Sequence, residues 1–196
     1  MKEDILEQIV DDYLNAKGLF TVHNVKFKPA ESSGYSAKYD SGYSDVDVIG
    51  YSPRHEGAER TWVVSCKSWQ SGFNPREKIN AIEGEKKQGG REVWKGYREL
   101  VKQKWGDALV AKVEELTGSR QFTYCTAVTR LKGGEDGKTI WQDYPLFRRN
   151  LCGNPIRILT LAEMLDEVYR DMKTSLASSE VGRLLQVIKA SGWKPQ

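Results

Sequence analysis

Two β-rich runs, SDVDVIGY (Ser44–Tyr51) and RTWVVSCKSW (residues 60–69), are separated only by the turn-forming segment SPRHEG. Their β-branched and aromatic content predicts strands, and so short a connection predicts an antiparallel hairpin. Side chains alternate along a strand, so Asp45 and Asp47 are expected on one face and Val46 and Val48 on the other. On the partner strand Ser65 and Lys67 oppose Val64 and Cys66 in the same way. Burying the two apolar faces together sets the acids and the lysine in one row.

The segments around the hairpin are expected to build a mixed sheet flanked by helices, an α/β fold. Residues 4–18 carry Ile5, Leu6, Ile9, Val10, Tyr13 and Leu14 at helical spacing, with Gly18 as a C-terminal stop. Residues 19–27 alternate as a strand, and residues 28–43 are a long polar loop rich in Gly, Ser and Tyr. A helix starts at Asn74, with Pro75 at its first position and Glu77 where a capping box places an acid. Helical patterns follow over residues 91–105 and 107–118, then a strand over 120–128, a loop over 131–139 and a short strand over 155–159. Thr160 and Glu163 form a second capping box before a helix over 161–172, and a last helix covers 178–190.

A chain of 196 residues with 39% hydrophobic content can bury a full core, so one domain is expected, with the core over about residues 1–173 and a C-terminal helical appendage over about 174–196. A net charge of +3 permits an anionic partner without requiring one. Cys66, Cys125 and Cys152 are widely spaced and lack a CxxC pair, which predicts reduced thiols rather than a disulfide framework or a zinc site. No apolar run approaches the roughly 18 residues of a membrane span, and the first residues, MKEDILEQIVDD, are acidic where a signal peptide is basic. A cytoplasmic protein with no membrane partner is expected.

A polar row on an ordinary hairpin is a solvated face whose cross-strand ion pair contributes about 0.2–1 kcal/mol. Here Asp47 is embedded among Val46, Val48 and Ile49, and helices are expected over the sheet. A carboxylate shielded from water needs a cation or a metal beside it. A carboxylate on one strand and a lysine on the next can hold Mg²⁺ and orient a water. The metal lowers the water's pKa and polarises a phosphate oxygen, while the lysine steadies the attacking water and the developing charge.

The strings DVDVIGY and WVVSCKSWQ resemble the active-site hairpin of the PD-(D/E)xK nuclease superfamily, in particular Mrr-type restriction endonucleases and archaeal Holliday-junction resolvases. That resemblance implies a restriction-endonuclease-like core and a Mg²⁺- or Mn²⁺-dependent endonuclease that hydrolyses DNA in restriction, defence or repair. It implies Asp47 as the metal-binding aspartate, Lys67 as the catalytic lysine and the carbonyl of Cys66 as a metal contact. LEQIVDDYLNAKGLF is similar to the first helix and turn of such nucleases, which implies Glu7 as an acid reaching the metal through water.

The family's second acid is replaced by Ser65, and a hydroxyl is a weaker Mg²⁺ ligand than a carboxylate. Three explanations stand open: Ser65 binds through water, an acid elsewhere substitutes, or catalysis is lost. Glu83, near the buried face of the following helix, is the favoured substitute. Gln70, just past Lys67, is a candidate contact to DNA or to the metal's waters. Arg91, Lys95, Arg98 and Lys102 are expected along one helical face as a nucleic-acid-binding ridge, with Arg148, Arg149 and the loop residues Tyr35, Tyr39 and Tyr43 as weaker additions. Cutting both strands of a duplex favours a homodimer. Two other functions fit the sequence: a catalytically inactive nuclease-like module that binds nucleic acid or protein, and a protein-binding domain using its Trp-rich helix.

Overall fold

The computed structural model describes residues 4–192 apart from 41, 70, 173–176 and 178. Its elements run α1 (Ile5–Ala16), β1 (Phe20–Phe27), α2 (Ala37–Asp40), β2 (Ser44–Tyr51), β3 (Thr61–Lys67), α3 (Pro75–Glu83), β4 (Lys87–Gln88) and β5 (Arg91–Glu92). They continue with α4 (Arg98–Val101), α5 (Gln103–Thr117), β6 (Thr123–Val128), α6 (Gly134–Gln142), α7 (Pro145–Asn150), β7 (Ile156–Thr160), α8 (Leu161–Asp171) and α9 (Glu180–Ala190).

The main sheet has five strands in the order β1-β2-β3-β6-β7. β1, β2 and β3 are mutually antiparallel, whereas β3, β6 and β7 run parallel. β3 is therefore the boundary between an antiparallel half made of neighbouring chain and a parallel half that needs helical crossovers. Parallel strands are covered on both sides, and all six residues of β6 are buried.

Each face of the sheet has its own core. On one, Leu6, Ile9, Val10 and Leu14 of α1 meet Val48, Val64, Cys125 and Ala127 of the sheet and Met164 and Val168 of α8. On the other, Trp105, Leu109 and Val113 of α5, Trp141 of α6 and Phe147 of α7 cover Ile49, Val63 and Tyr124. The mixed sheet flanked by helices is thus the architecture that the hydrophobic pattern implied. α1 is fixed at its start by the Asp4 carboxylate, which accepts the Leu6 N–H at 3.0 Å, and Ile5 lies outside the buried stripe at 65% exposure. α9 packs on this same layer through Val181 and Leu185. Among the described residues no helix is long and apolar enough to cross a membrane.

Several segments differ from their sequence pattern, among them residues 28–43, expected as a loop, which contain the short α2. Residues 91–105 do not form one helix: they pass through β5, a 3₁₀ turn (Val93–Gly96) and the short α4, and extended backbone at Lys102 separates α4 from α5. Of its aromatic residues Tyr97 and Trp105 are buried by these separate pieces, and Trp94 is half-buried. β4 and β5 form a small ribbon turned by Gly89 and Gly90, at φ +58° and +79°. The Gly-rich stretch 131–139, expected as a loop, contains the start of α6. Gly106 is required where α5 crosses α7, because a Cβ there would stand 2.2 Å from the Asn150 carbonyl oxygen.

The cysteines are unpaired, with Cys125 buried, Cys66 half-buried and Cys152 exposed. His23, on β1, holds its Nε2 3.0 Å from an Asp11 carboxylate oxygen of α1, while its buried Nδ1 has no hydrogen-bond partner.

Candidate active site

The β2–β3 ladder runs from Tyr51↔Thr61 to Val48↔Val64 and stops there. Continuing the register would set Asp47 opposite Ser65, and at that position the two strands part. The Asp47 carboxylate fills the opening: its Oδ2 accepts the backbone N–H of Cys66 at 2.6 Å, taking the place of a ladder carbonyl.

The other neighbour of β2 departs from regular pairing at the same point. β1 pairs with β2 through His23↔Val48 and again through Val25↔Val46, but Asn24, across from Asp47, adopts φ +53°. Asn is one of the few residues that tolerates this left-handed backbone. Across the irregular pair both strands change the face they present. His23 and Val48 lie toward α1, whereas Val25, Phe27 and Val46 join the opposite core. The expected parity of Val46 with Val48 is therefore broken, and Asp47 sits at the switch.

On β3 the alternation holds. Cys66 turns toward the α1 layer, and Ser65 and Lys67 turn toward the layer of α4 and α5. Lys67 Nζ donates to Ser65 Oγ at 2.9 Å. The Ser65 hydroxyl also lies beside Asp47 and Tyr124 of β6, near enough to influence the ionisation of each, and the Tyr124 hydroxyl donates to Glu99 of α4 in a short bond. The Lys67 ammonium lies 5.5 Å from the ring centroid of Tyr97. One serine hydroxyl thus connects a half-buried aspartate, a lysine and, through a tyrosine, a carboxyl group only 6% exposed.

Burial dominates the electrostatics of both acids. It pushes the Asp47 carboxyl above the usual carboxylate range against the opposing pull of the Cys66 N–H, Lys67 and Ser65, with Asp45 adding to the rise. It pushes Glu99 up as well, against Tyr124 and Lys67, with Asp47 adding to the rise. Each acid therefore feels the other and Lys67, so the cluster is one electrostatic unit.

The remaining candidates are distributed unevenly. Glu7, in the first turn of α1, is near enough to Cys66 that its charge helps raise the thiol's pKa, after burial and Asp47. The same helix start is pinned to the end of β3 by Ser68, whose hydroxyl donates to Asp4 at 2.5 Å. Glu83 does not supply the missing acid: it is exposed at the end of α3 and accepts from the Tyr144 hydroxyl at 2.5 Å. The acid that the fold brings to Lys67 and Asp47 is Glu99. Gln70 lies outside the described residues.

The expected basic ridge is not formed, because Arg91 lies in β5, Lys95 in the 3₁₀ turn, Arg98 in α4 and Lys102 in the extended link before α5. Arg98 is 5% exposed, donates to the carbonyls of Lys95 and Tyr43 at 3.2 Å each, and holds its guanidinium 5.2 Å from the Trp105 ring centroid, a structural role. Lys95 pairs with Glu92 at 2.6 Å, and Lys102 stands 4.9 Å from the Trp94 ring centroid. Arg91 is exposed on β5. Tyr39, in α2, and Tyr43, just before β2, are exposed, whereas Tyr35 donates to the Gly42 carbonyl at 2.9 Å.

Glu99 and Tyr124 escaped the sequence reading. Glu99 sits between Arg98 and Leu100 in a four-residue helix too short to show periodicity, and Tyr124 looks like any aromatic residue of a buried strand. The one available signal was an acid next to the apolar pair Leu100 and Val101, where burial requires a partner.

Among the described residues no group of three or more His, Cys, Asp or Glu side chains is arranged to hold a metal ion. The oxygen donors at the fork are the Asp47 carboxylate and the nearby backbone carbonyl of Cys66. No protein-family model, curated protein or solved structure matches the chain.

Proposed function

We propose that this protein is a divalent-metal-dependent DNA endonuclease of the PD-(D/E)xK type, with a restriction-endonuclease-like core. The observation that carries the reading is the meeting of Asp47 and Lys67 at one Ser65 hydroxyl, where β2 and β3 separate beneath a helical layer. A helix, three antiparallel strands and a parallel extension through β6 support the same reading at the level of topology.

The residues present fit a hard cation held by few protein ligands. Mg²⁺ keeps several waters and commonly takes one or two carboxylates together with phosphate oxygens. Asp47 has a costly buried charge and no direct ion pair with Lys67, so a cation beside it relieves the carboxylate. Asp47 and the Cys66 carbonyl would hold Mg²⁺ or Mn²⁺, with Glu7 acting from α1 through water. When bound, the metal supplies charge neutralisation at the phosphate and a more acidic water.

The side chains do the rest. Lys67, held by Ser65, donates hydrogen bonds to the attacking water and to the phosphoryl oxygens, where negative charge grows. The water oxygen bonds to phosphorus as the P–O ester bond breaks, and the departing oxygen takes a proton. Ser65 acts here as a connector rather than as a replacement ligand. The carboxyl group that the family carries on this strand has its counterpart in Glu99 of α4, which is buried beside Tyr124 and feels the charge of Lys67. A homodimer would place two such sites on a duplex.

The test is incubation of plasmid and linear duplex DNA with Mg²⁺ or Mn²⁺, beside Lys67→Ala and Asp47→Asn. Cleavage by the wild type alone supports the proposal, and cleavage that survives both substitutions rejects it. The neutral Ser65 favours one second reading, a nucleic-acid-binding relative without activity. Calorimetric titration separates them: DNA binding with no Mg²⁺ or Mn²⁺ uptake at millimolar concentration selects the inactive module.

A further inference from the structure

Tyr97, whose ring faces the Lys67 ammonium, also lines a cavity of about 380 Å³ bounded by α3, the β4–β5 ribbon and the 3₁₀ turn before α4. That volume falls within the roughly 300–1,000 Å³ typical of small-ligand sites. Its cations are Lys78, Arg91 and Lys132, and its aromatic wall is Trp69 with Tyr97. Glu77 and Glu92 also line it, but Glu92 is neutralised by Lys95 at 2.6 Å. Among the described residues none of the three cations forms an ion pair.

Two features show unmet bonding capacity. The Tyr97 hydroxyl is buried and has no hydrogen-bond partner, in a residue only 2% exposed, and such a group costs free energy until a ligand or water satisfies it. The Lys78 ammonium lies over the Trp69 ring, 4.4 Å from its centroid, and donates to Gln88 Oε1 at 2.9 Å. It is a flexible cation resting on an indole face, with burial disfavouring its charge. A flat aromatic group could take its place on Trp69, and an attached anion would draw the ammonium aside.

We propose that this cavity receives one nucleotide of a nucleic-acid strand, with its base on Trp69 beside the Tyr97 hydroxyl and its phosphate among Lys78, Arg91 and Lys132. Aromatic stacking and a cationic rim are the two components of single-strand recognition. That the nucleotide lies next to the phosphate attacked at Lys67 rests on the nuclease reading above; the nucleotide site itself rests on the cavity.

The experiment is a titration of the full chain, without divalent cation, with a deoxynucleoside monophosphate, the matching nucleoside and inorganic phosphate, read by tryptophan fluorescence. The monophosphate should quench the signal, Trp69→Phe should remove most of that change, and nucleoside or phosphate alone should bind about tenfold more weakly or worse. Lys78→Ala combined with Lys132→Ala should lower affinity by at least about tenfold, as expected for lost charge-assisted contacts. Tyr97→Phe should weaken the nucleotide without lowering the melting temperature, since it deletes an unsatisfied hydroxyl and keeps the ring.

A second arm uses single- and double-stranded oligonucleotides carrying 2-aminopurine. A fluorescence change on the single strand alone assigns the pocket to unpaired strands, and a rise on the duplex assigns it to a base drawn out of the helix. Equal binding of phosphate and monophosphate, or quenching that survives both Trp69→Phe and the double lysine substitution, overturns the nucleotide site. DNA cleavage with no nucleotide binding rejects this inference and leaves the nuclease reading standing. Nucleotide binding with no cleavage under any divalent cation does the reverse.

Discussion

Two aspartate–lysine combinations lie a few residues apart in this chain and behave in opposite ways. Asp40, at the end of α2, is bound directly by Lys104 at 2.6 Å and by the Ser36 N–H at 2.8 Å. The hydrogen bond from Lys104 holds its carboxyl below the usual range. Asp47 has the Cys66 N–H at 2.6 Å but no direct contact with Lys67, and burial holds its carboxyl above that range. The first pair closes the base of a loop and is complete. The second is held apart by a serine, leaving a lysine and a carboxylate near each other with bonding capacity unused. That contrast, more than the presence of either residue type, distinguishes a structural ion pair from a candidate reaction centre.

Substitution of the lysines should separate the two most sharply. Lys67→Ala should lower single-turnover DNA cleavage by about 10²–10³-fold, the usual cost of losing one donor aimed at developing charge. Lys104→Ala should leave the cleavage rate of the folded protein in place. Equal losses in both variants would erase the distinction.

Stability should show the reverse ranking. Lys104→Ala should cost about 1–2 kcal/mol in urea denaturation, less than a fully buried pair because the lysine is partly exposed. A loss near zero would mean that Asp40 finds water as readily as it finds Lys104.

The pH dependence of stability should have opposite sign in the two regions. Glu99, facing Tyr124, Lys67 and Asp47, keeps its proton to higher pH when folded than when unfolded. Its stabilising contribution is therefore full below the ordinary carboxylate range and lost as pH rises through its raised value. Asp40 contributes above the ordinary range and loses its contribution as pH falls through its lowered value. Glu99→Gln, which can still accept from Tyr124, should thus flatten the alkaline side of the stability profile. Asp40→Asn should flatten the acid side. Urea melts from pH 4 to pH 8 would show a shared sign if the comparison is wrong.

The smallest effect is expected from Cys66→Ala. What Cys66 offers Asp47 is its backbone N–H, which alanine retains, so cleavage should stay close to wild type. A large loss would transfer the role from the backbone to the thiol.

How far these regions could be read in advance follows from the distance over which each is determined. β2, β3 and the start of α3 are local: β-branched runs, a short turn and the Asn74–Pro75 start suffice, and the Asn74 side chain does accept the Glu77 N–H. The capping box of α8 is also local, and both of its bonds form. Asp47 and Lys67 were visible because they lie on adjacent strands of one hairpin. The change of face at Asp47 was not, since it depends on one positive φ at Asn24 in a different strand. Nor was Glu99, which reaches Lys67 only because β6 lies parallel to β3 and presents Tyr124 between them. The basic residues of 91–105 failed as a set because Lys102 ends α4, and helical spacing has no meaning across a break.

The position of β3 has a kinetic corollary. Its pairing with β2 closes a short stretch of chain, whereas its pairing with β6 must wait for α3, the ribbon, α4 and α5 to be gathered in. Loop-closure entropy favours the hairpin first and delays the parallel contact. During that interval Asp47 and Lys67 are already neighbours while Tyr124 and Glu99 are still absent, so the acidic end of the network is installed after the hairpin.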